Sequence, residues 1–215
     1  RSPALQNTSS GYAVGNYTPG DAMFDDIAHQ AFSGAGNTND ASILEFSFNV
    51  TNPTIKSVSF DVIFGSDEYP EWVDSSFVDI AAISVNGVNY ALFDGDPLKP
   101  LSIVGNNIAS GSLFDNQYSY EGTSPYSIEY DGISPRITIS IPVAMDGVYD
   151  VRLGVADTGD SSLDSRIFIS NFRSNYSSAV DGALVEVTSP DPSTGIYMPA
   201  SPITATKFIG GSGNN

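Results

Sequence analysis

The sequence predicts an all-β protein: a β-sandwich of jelly-roll type with one short helix and long acidic loops. Three observations lead there. From residue 43 onward, short runs rich in Val, Ile and Phe alternate with polar residues at a period of two. Turn residues such as Asn52-Pro53, Asn86-Gly87 and Asp94-Gly95 break these runs. Only one stretch, Asp21 to Phe32, keeps a helical period. Residues 1–188 therefore read as a single sandwich domain of roughly eight to eleven strands, and 189–215, rich in Pro, Ser, Thr and Gly, as a tail or linker.

Residues 1–19 form an entry segment in which Tyr12, Val14 and Tyr17 alternate as an edge strand would. Asp21 can cap the helix that follows, and Met23, Ile27, Ala28 and Ala31 share its apolar face. His29, the only histidine, lies in this helix and reads as a surface or packing residue. Gly34 to Asn39 is a loop. In ILEFSFNV (43–50), Ile43 and Glu45 take one face and Leu44, Phe46 and Phe48 the other. Val58, Phe60, Val62 and Phe64 mark the next strand. Val78 to Val85 is nearly continuous apolar sequence, as expected of a central strand covered on both faces. A hairpin at Asn86-Gly87 returns through Val88 to Phe93. The acidic turn Asp94-Gly95-Asp96-Pro97 opens a long loop to about Gly122, a length that usually carries function. Arg136–Val143, Gly147–Ala156 and Arg166–Phe172 are further strands, and 182–188 can form one more.

Composition excludes several functions. The formal charge is −17, from 25 acidic against 8 basic residues, so the basic footprint that nucleic acid or an anionic membrane needs is missing. The absence of cysteine removes thiol nucleophiles, Cys-type zinc sites and disulfides. With one histidine, no multi-His metal site can form. No run of eighteen apolar residues exists, so direct membrane insertion is not expected. No signal peptide is visible, and the N-terminus reads as a boundary within a longer chain.

The chemistry concentrates in FGSDEYPEWVDSSFVD, residues 64–79. Asp67, Glu68, Glu71, Asp74 and Asp79 fall within it, without Lys, Arg or His. Carboxylates this close repel each other unless solvated or sharing a cation, and calcium takes six to eight such oxygens. A merely solvated acidic loop, the competing reading, would ordinarily carry some Lys or Arg. A second cluster, Asp157, Asp160 and Asp164, surrounds Gly159; it is not an EF-hand, because the twelfth position is Phe168. Asp40 with Glu45 is a third candidate. Both larger clusters follow a strand, which allows them to meet at one end of the sandwich around several Ca²⁺ ions.

Ser66-Asp67-Glu68-Tyr69-Pro70-Glu71, then Ser76-Phe77-Val78-Asp79, then Ala156 to Ser165 stand in the order seen in the choice-of-anchor L domain of bacterial surface proteins. Asn39-Asp40-Ala41 adds to the match. The chain resembles that family over about residues 37–173. It is also similar to the calcium-dependent peptide-binding domains of giant RTX adhesins. These resemblances imply an extracellular, cell-surface, calcium-rich setting and a non-enzymatic role, capture of short peptide ends on host or neighbouring cells. A bound Ca²⁺ with an open position accepts a peptide C-terminal carboxylate; vicinal sugar hydroxyls are the alternative ligand, making glycans a second class of partner. Asp94 and Asp96, with Phe114, Tyr118, Tyr120 and Tyr126 of the long loop, are candidate ligand-binding residues, although the aromatics equally suit packing under a loop. A glycosidase using Glu68 with Glu71 or Asp79 is disfavoured, since carboxylates packed for metal are poorly placed to keep one protonated. A spacer that calcium merely rigidifies is the remaining reading. The domain is expected to be a monomeric module of a larger chain.

Overall fold

The computed structural model describes residues 17–104, 113–116, 128, 130–176 and, as a strand without its side chains, 204–210. One helix and two antiparallel sheets make up these residues. The helix α1 (Ala22–Ala31) is capped by Asp21, whose carboxylate accepts from the Met23 N–H at 2.9 Å. Its inward face is centred on Phe24 and Ala28, four residues apart, with Met23 and Ile27 half-buried beside them. Phe24 was not among the residues expected on that face. His29 is exposed in the last turn.

The first sheet runs in the order β11–β1–β9–β3–β4, with β5 also on β3. Its strands are β1 (Thr38–Asn49), β3 (Ile80–Val85), β4 (Val88–Asn89), β5 (Leu101–Ser102), β9 (Val148–Thr158) and β11 (Thr204–Gly210). The second runs β10–β2–β7–β6, with β8 also on β2. It is built from β2 (Ser57–Ser66), β6 (Phe114–Asp115), β7 (Gly132–Ile133), β8 (Ile137–Pro142) and β10 (Ser165–Asn175). The expected all-β sandwich is what forms.

Burial explains the pairing. Every residue of β3 is buried: Ala81, Ile83 and Val85 join the core between the sheets, while Ile80 and Ala82 pack beneath α1. That is why its sequence does not alternate. β2 sends Val58, Phe60, Val62 and Phe64 into the core. Its opposite face holds the buried Asp61, which meets Arg173 at 3.0 Å and accepts from Thr138 (2.9 Å) and Asn171 (2.6 Å). Burial works to raise the Asp61 pKa, but these hydrogen bonds and the Arg173 charge outweigh it and hold the group below the ordinary range. Phe172 stacks on Phe60 with ring centroids 4.7 Å apart and meets Phe48 edge-on at 5.5 Å, tying the sheets together.

Three elements differ from expectation. β1 begins at Thr38, inside the expected loop, because Asn39 and Thr38 pair with Asp157 and Thr158 of β9. The return strand 88–93 stops after Asn89, whose side chain accepts the Ile83 and Ala91 N–H groups and so replaces the continuing ladder. β11 lies in the segment read as a tail and pairs with β1. The expected strand 182–188 lies outside the described residues.

Topology then decides what meets. Loop 67–79 crosses from β2 in one sheet to β3 in the other, and loop 159–164 crosses back from β9 to β10. Ser66 pairs with Ser165 and Ile80 with Ala156, so both crossings lie at the same end.

Candidate metal centre

The two crossings are joined through their backbones. The Asp67 N–H donates to the Asp164 carbonyl at 3.2 Å, and the Thr158 hydroxyl donates to the Ser76 carbonyl at 3.2 Å. Gly159, with φ +83°, lies so close that a Cβ there would stand 2.7 Å from Ser76 O and 2.9 Å from the Phe77 ring. The Gly36 N–H donates to the same Ser76 carbonyl, and the Gly159 N–H to Asn37 O at 2.9 Å. The segment ahead of β1 therefore closes the third side.

This docking buries carboxylates. Glu68 is 1 % exposed, Asp79 0 %, Asp67 4 % and Asp157 7 %. Some of their oxygens are satisfied: Asp79 Oδ1 accepts from Thr158 N at 3.1 Å, and Asp67 Oδ1 from Asp131 N at 3.2 Å. Glu68 Oε2, Asp79 Oδ2 and Ser165 Oγ are buried without a hydrogen-bond partner. Such atoms are costly to leave bare.

The electrostatics report the same crowding. Burial, then the charges of Asp160, Asp157, Asp67 and Glu71, push Glu68 up to about 9. Burial with Asp157 and Glu68 drives Asp79 well above the carboxylate range; the nearby Ser165 hydroxyl and the Thr158 N–H oppose this. Asp157 rises to about 7 through burial and the charges of Asp164, Asp40 and Asp160. Among the described residues, no cation is among the leading influences on these three. Arg166 acts on Tyr130, whose hydroxyl burial has pushed up to about 12.

Of the residues singled out from sequence, Asp40, Asp67, Glu68, Glu71, Asp79, Asp157, Asp160 and Asp164 thus share one electrostatic neighbourhood. Asp40 joins it from the irregular start of β1, where the register shifts between Asn39 and Ser42 and its carboxylate accepts from the Thr18 N–H and hydroxyl. Glu45 does not. Its carboxylate is held by Arg152 at 2.6 Å, opposite it on β9 and roughly 17 Å along the strand from Asp157. Asp94 and Asp96 form a separate turn, Asp94 facing Lys99 at 3.7 Å and Asp96 accepting from Leu98 N at 2.9 Å. Tyr118, Tyr120 and Tyr126 lie outside the described residues, and Phe114 is placed only as part of β6.

Sequence reasoning missed Ser165 and Asp131. Ser165 directly follows Asp164 in the second cluster, which was signal enough. Asp131 carried only a turn signal, Asp131-Gly132, yet its N–H is what holds Asp67. Among the described residues, no group of three or more acidic side chains is already arranged to hold a metal ion. The cluster does offer hard oxygen donors of the kind calcium takes, several of them bare.

The family model described as the choice-of-anchor L domain matches residues 2–173. The chain belongs to the choice-of-anchor L family. The match spans both acidic crossings and ends within β10. Membership marks the chain as a surface-associated bacterial module. Neither a search of curated proteins nor one of solved structures returns a match.

Proposed function

We propose that this choice-of-anchor L domain is a calcium-dependent ligand-binding module of a surface adhesin, and that it captures short peptides by their C-terminal carboxylate. The observation that carries the reading is the burial of Glu68 Oε2, Asp79 Oδ2 and Ser165 Oγ, unpartnered, among further carboxylates. These three, with Asp157 and Asp67, are the residues that would hold an inner ion. Glu71, Asp160, Asp164 and Asp40, nearer solvent, would complete an outer one. Bound calcium supplies positive charge and open coordination positions for a ligand oxygen. The chain's part is to gather the donors: Gly159 lets the crossings touch, and the Asp67–Asp164 and Thr158–Ser76 bonds set their spacing. Small movements of both loops are required to bring three carboxylates around one point.

The choice of a peptide rests on the resemblance to RTX adhesin peptide-binding domains. One observation favours a sugar instead. Trp72 is 42 % exposed in the acidic crossing and braced edge-on by Phe77 at 5.3 Å, which suits stacking on a pyranose face. The test begins with thermal melts in chelator and in calcium, where a ligand of the folded state raises the midpoint by mass action. Peptide and glycan arrays in calcium follow. Binding that vanishes when the peptide end is amidated supports the proposal. Binding indifferent to calcium, or unchanged by amidation, overturns the carboxylate mechanism, and glycan binding alone transfers the site to sugar.

A further inference from the structure

The β1 edge of the first sheet raises a separate question. On one side β1 pairs with β9 along its length. On the other, Leu44 to Asn49 pairs with β11, Leu44 opposite Gly210 and Asn49 opposite Thr204. β11 lies outside the family match, which ends at residue 173. Thr18 and Pro19 meet the start of β1 on this side, Pro19 bridging Asn39; among the described residues, the stretch from Leu44 to Asn49 is covered there by β11, a strand that lies beyond the match.

That edge is poorly defended. Edges left open usually carry charges, prolines or a short strand. The stretch 44–49, LEFSFN, has no proline and one charged side chain, Glu45, already held by Arg152. It belongs to a strand of 12 residues with Phe46 and Phe48 turned toward the core. An uncovered edge of this kind invites another strand. TATKFIG, residues 204–210, suits the task, with β-branched Thr204, Thr206 and Ile209 and aromatic Phe208. The segment 177–203 that leads to it is long enough, with a reach of up to about 90 Å, to pass from β10 in one sheet to the far edge of the other. A tether of that length keeps its strand at an effective concentration on the order of millimolar, which favours the strand of the same chain over a copy in dilute solution.

We infer that the β1 edge of this domain is a strand-addition site, and that its occupant is Thr204–Gly210 of the same chain. The strand caps an interface that would otherwise recruit like strands.

The chain has no native cysteine, so a disulfide can read the register directly. Ser47 stands opposite Lys207. A full-length S47C/K207C variant, oxidised mildly in dilute solution, should lose both free thiols and remain a monomer. The offset pair S47C/F208C should not cross-link. A second full-length variant, Lys207→Pro, removes a ladder N–H from β11. It should self-associate as its concentration rises while the parent stays monomeric under the same conditions. Disulfide-linked dimers of S47C/K207C would overturn the inference in favour of exchange between copies. Two thiols left free, or equal linking of the offset pair, would show that β11 does not occupy this register. A Lys207→Pro chain that stays monomeric would remove the capping role.

Discussion

Replacing Glu68 with glutamine should shift stability in opposite directions with and without calcium. In the absence of an ion, burial and the surrounding carboxylates raise the Glu68 pKa from 4.5 to about 9. Near pH 7 the side chain is ionised when unfolded and protonated when folded. The penalty is therefore nil below the unfolded pKa, grows as pH rises through 4.5, and levels off near 9. At neutral pH it amounts to about 3 kcal/mol. Glutamine keeps the shape and never ionises, so in chelator the variant should melt higher than the parent by roughly 6–12 °C. Raising the pH toward 9 should widen the gap, and pH 5 should nearly close it. In saturating calcium the order should reverse, because the variant has lost a charged ligand and its calcium-dependent rise shrinks. Calorimetric melts at three pH values, each in chelator and in calcium, check all of this. A variant no more stable than the parent in chelator near pH 7 would refute the repulsion argument. A variant keeping the full calcium rise would remove Glu68 from the ligands.

Other sites give sharper local tests. Arg173→Met leaves Asp61 buried and uncompensated, and should lower stability by about 3–5 kcal/mol in urea unfolding. Because the folded Asp61 pKa is depressed, its contribution is complete above the ordinary carboxylate range and is lost as pH falls through the folded pKa. Asp61→Asn should accordingly flatten the acid limb of the stability–pH curve. Gly159→Ala places a methyl group 2.7 Å from Ser76 O at a φ of +83°. It should cost more than about 1 kcal/mol in the melt and weaken calcium binding by calorimetry, since it separates the two crossings. Glu45→Gln should leave the calcium-dependent rise unchanged and cost only about 0–1 kcal/mol, as expected of its half-exposed pair with Arg152. A lost calcium response there would return Glu45 to the ligand set.

The strands were legible where one face is core and the other polar. Val58 to Phe64 and Ile137 to Ile141 alternate because side chains alternate, and they form β2 and β8. β3 was legible for the opposite reason, both of its faces being covered. The helix was visible in its cap and period, but its pivot was misplaced: Phe24 rather than Met23 fills the space over Ile80 and Ala82. Local pattern gives the face of a helix only to within one residue of rotation, and the shape of the sheet beneath sets the rest. Glu45 shows another limit. Its position on a polar strand face beside Asp40 looked like a ligand, and the Arg152 that neutralises it lies far along the chain, on a strand whose register sequence alone does not supply.

What the sequence determined by itself is the all-β class, the family, and the two acidic segments that hold nearly all the chemistry. Those depend on residue type and short spacing, which are local properties. Only the tertiary structure decided that the segments meet. Their meeting depends on both crossings leaving their sheets at the same end, with Ser66 opposite Ser165 and Ile80 opposite Ala156. It also decided which carboxylates lose their water. Asp74, Glu71 and Glu68 are the same chemistry a few residues apart, yet Glu68 alone of the three is buried. A charge in water and a charge under two crossing loops differ by several kcal/mol, and that difference is made by whatever the fold packs on top of it.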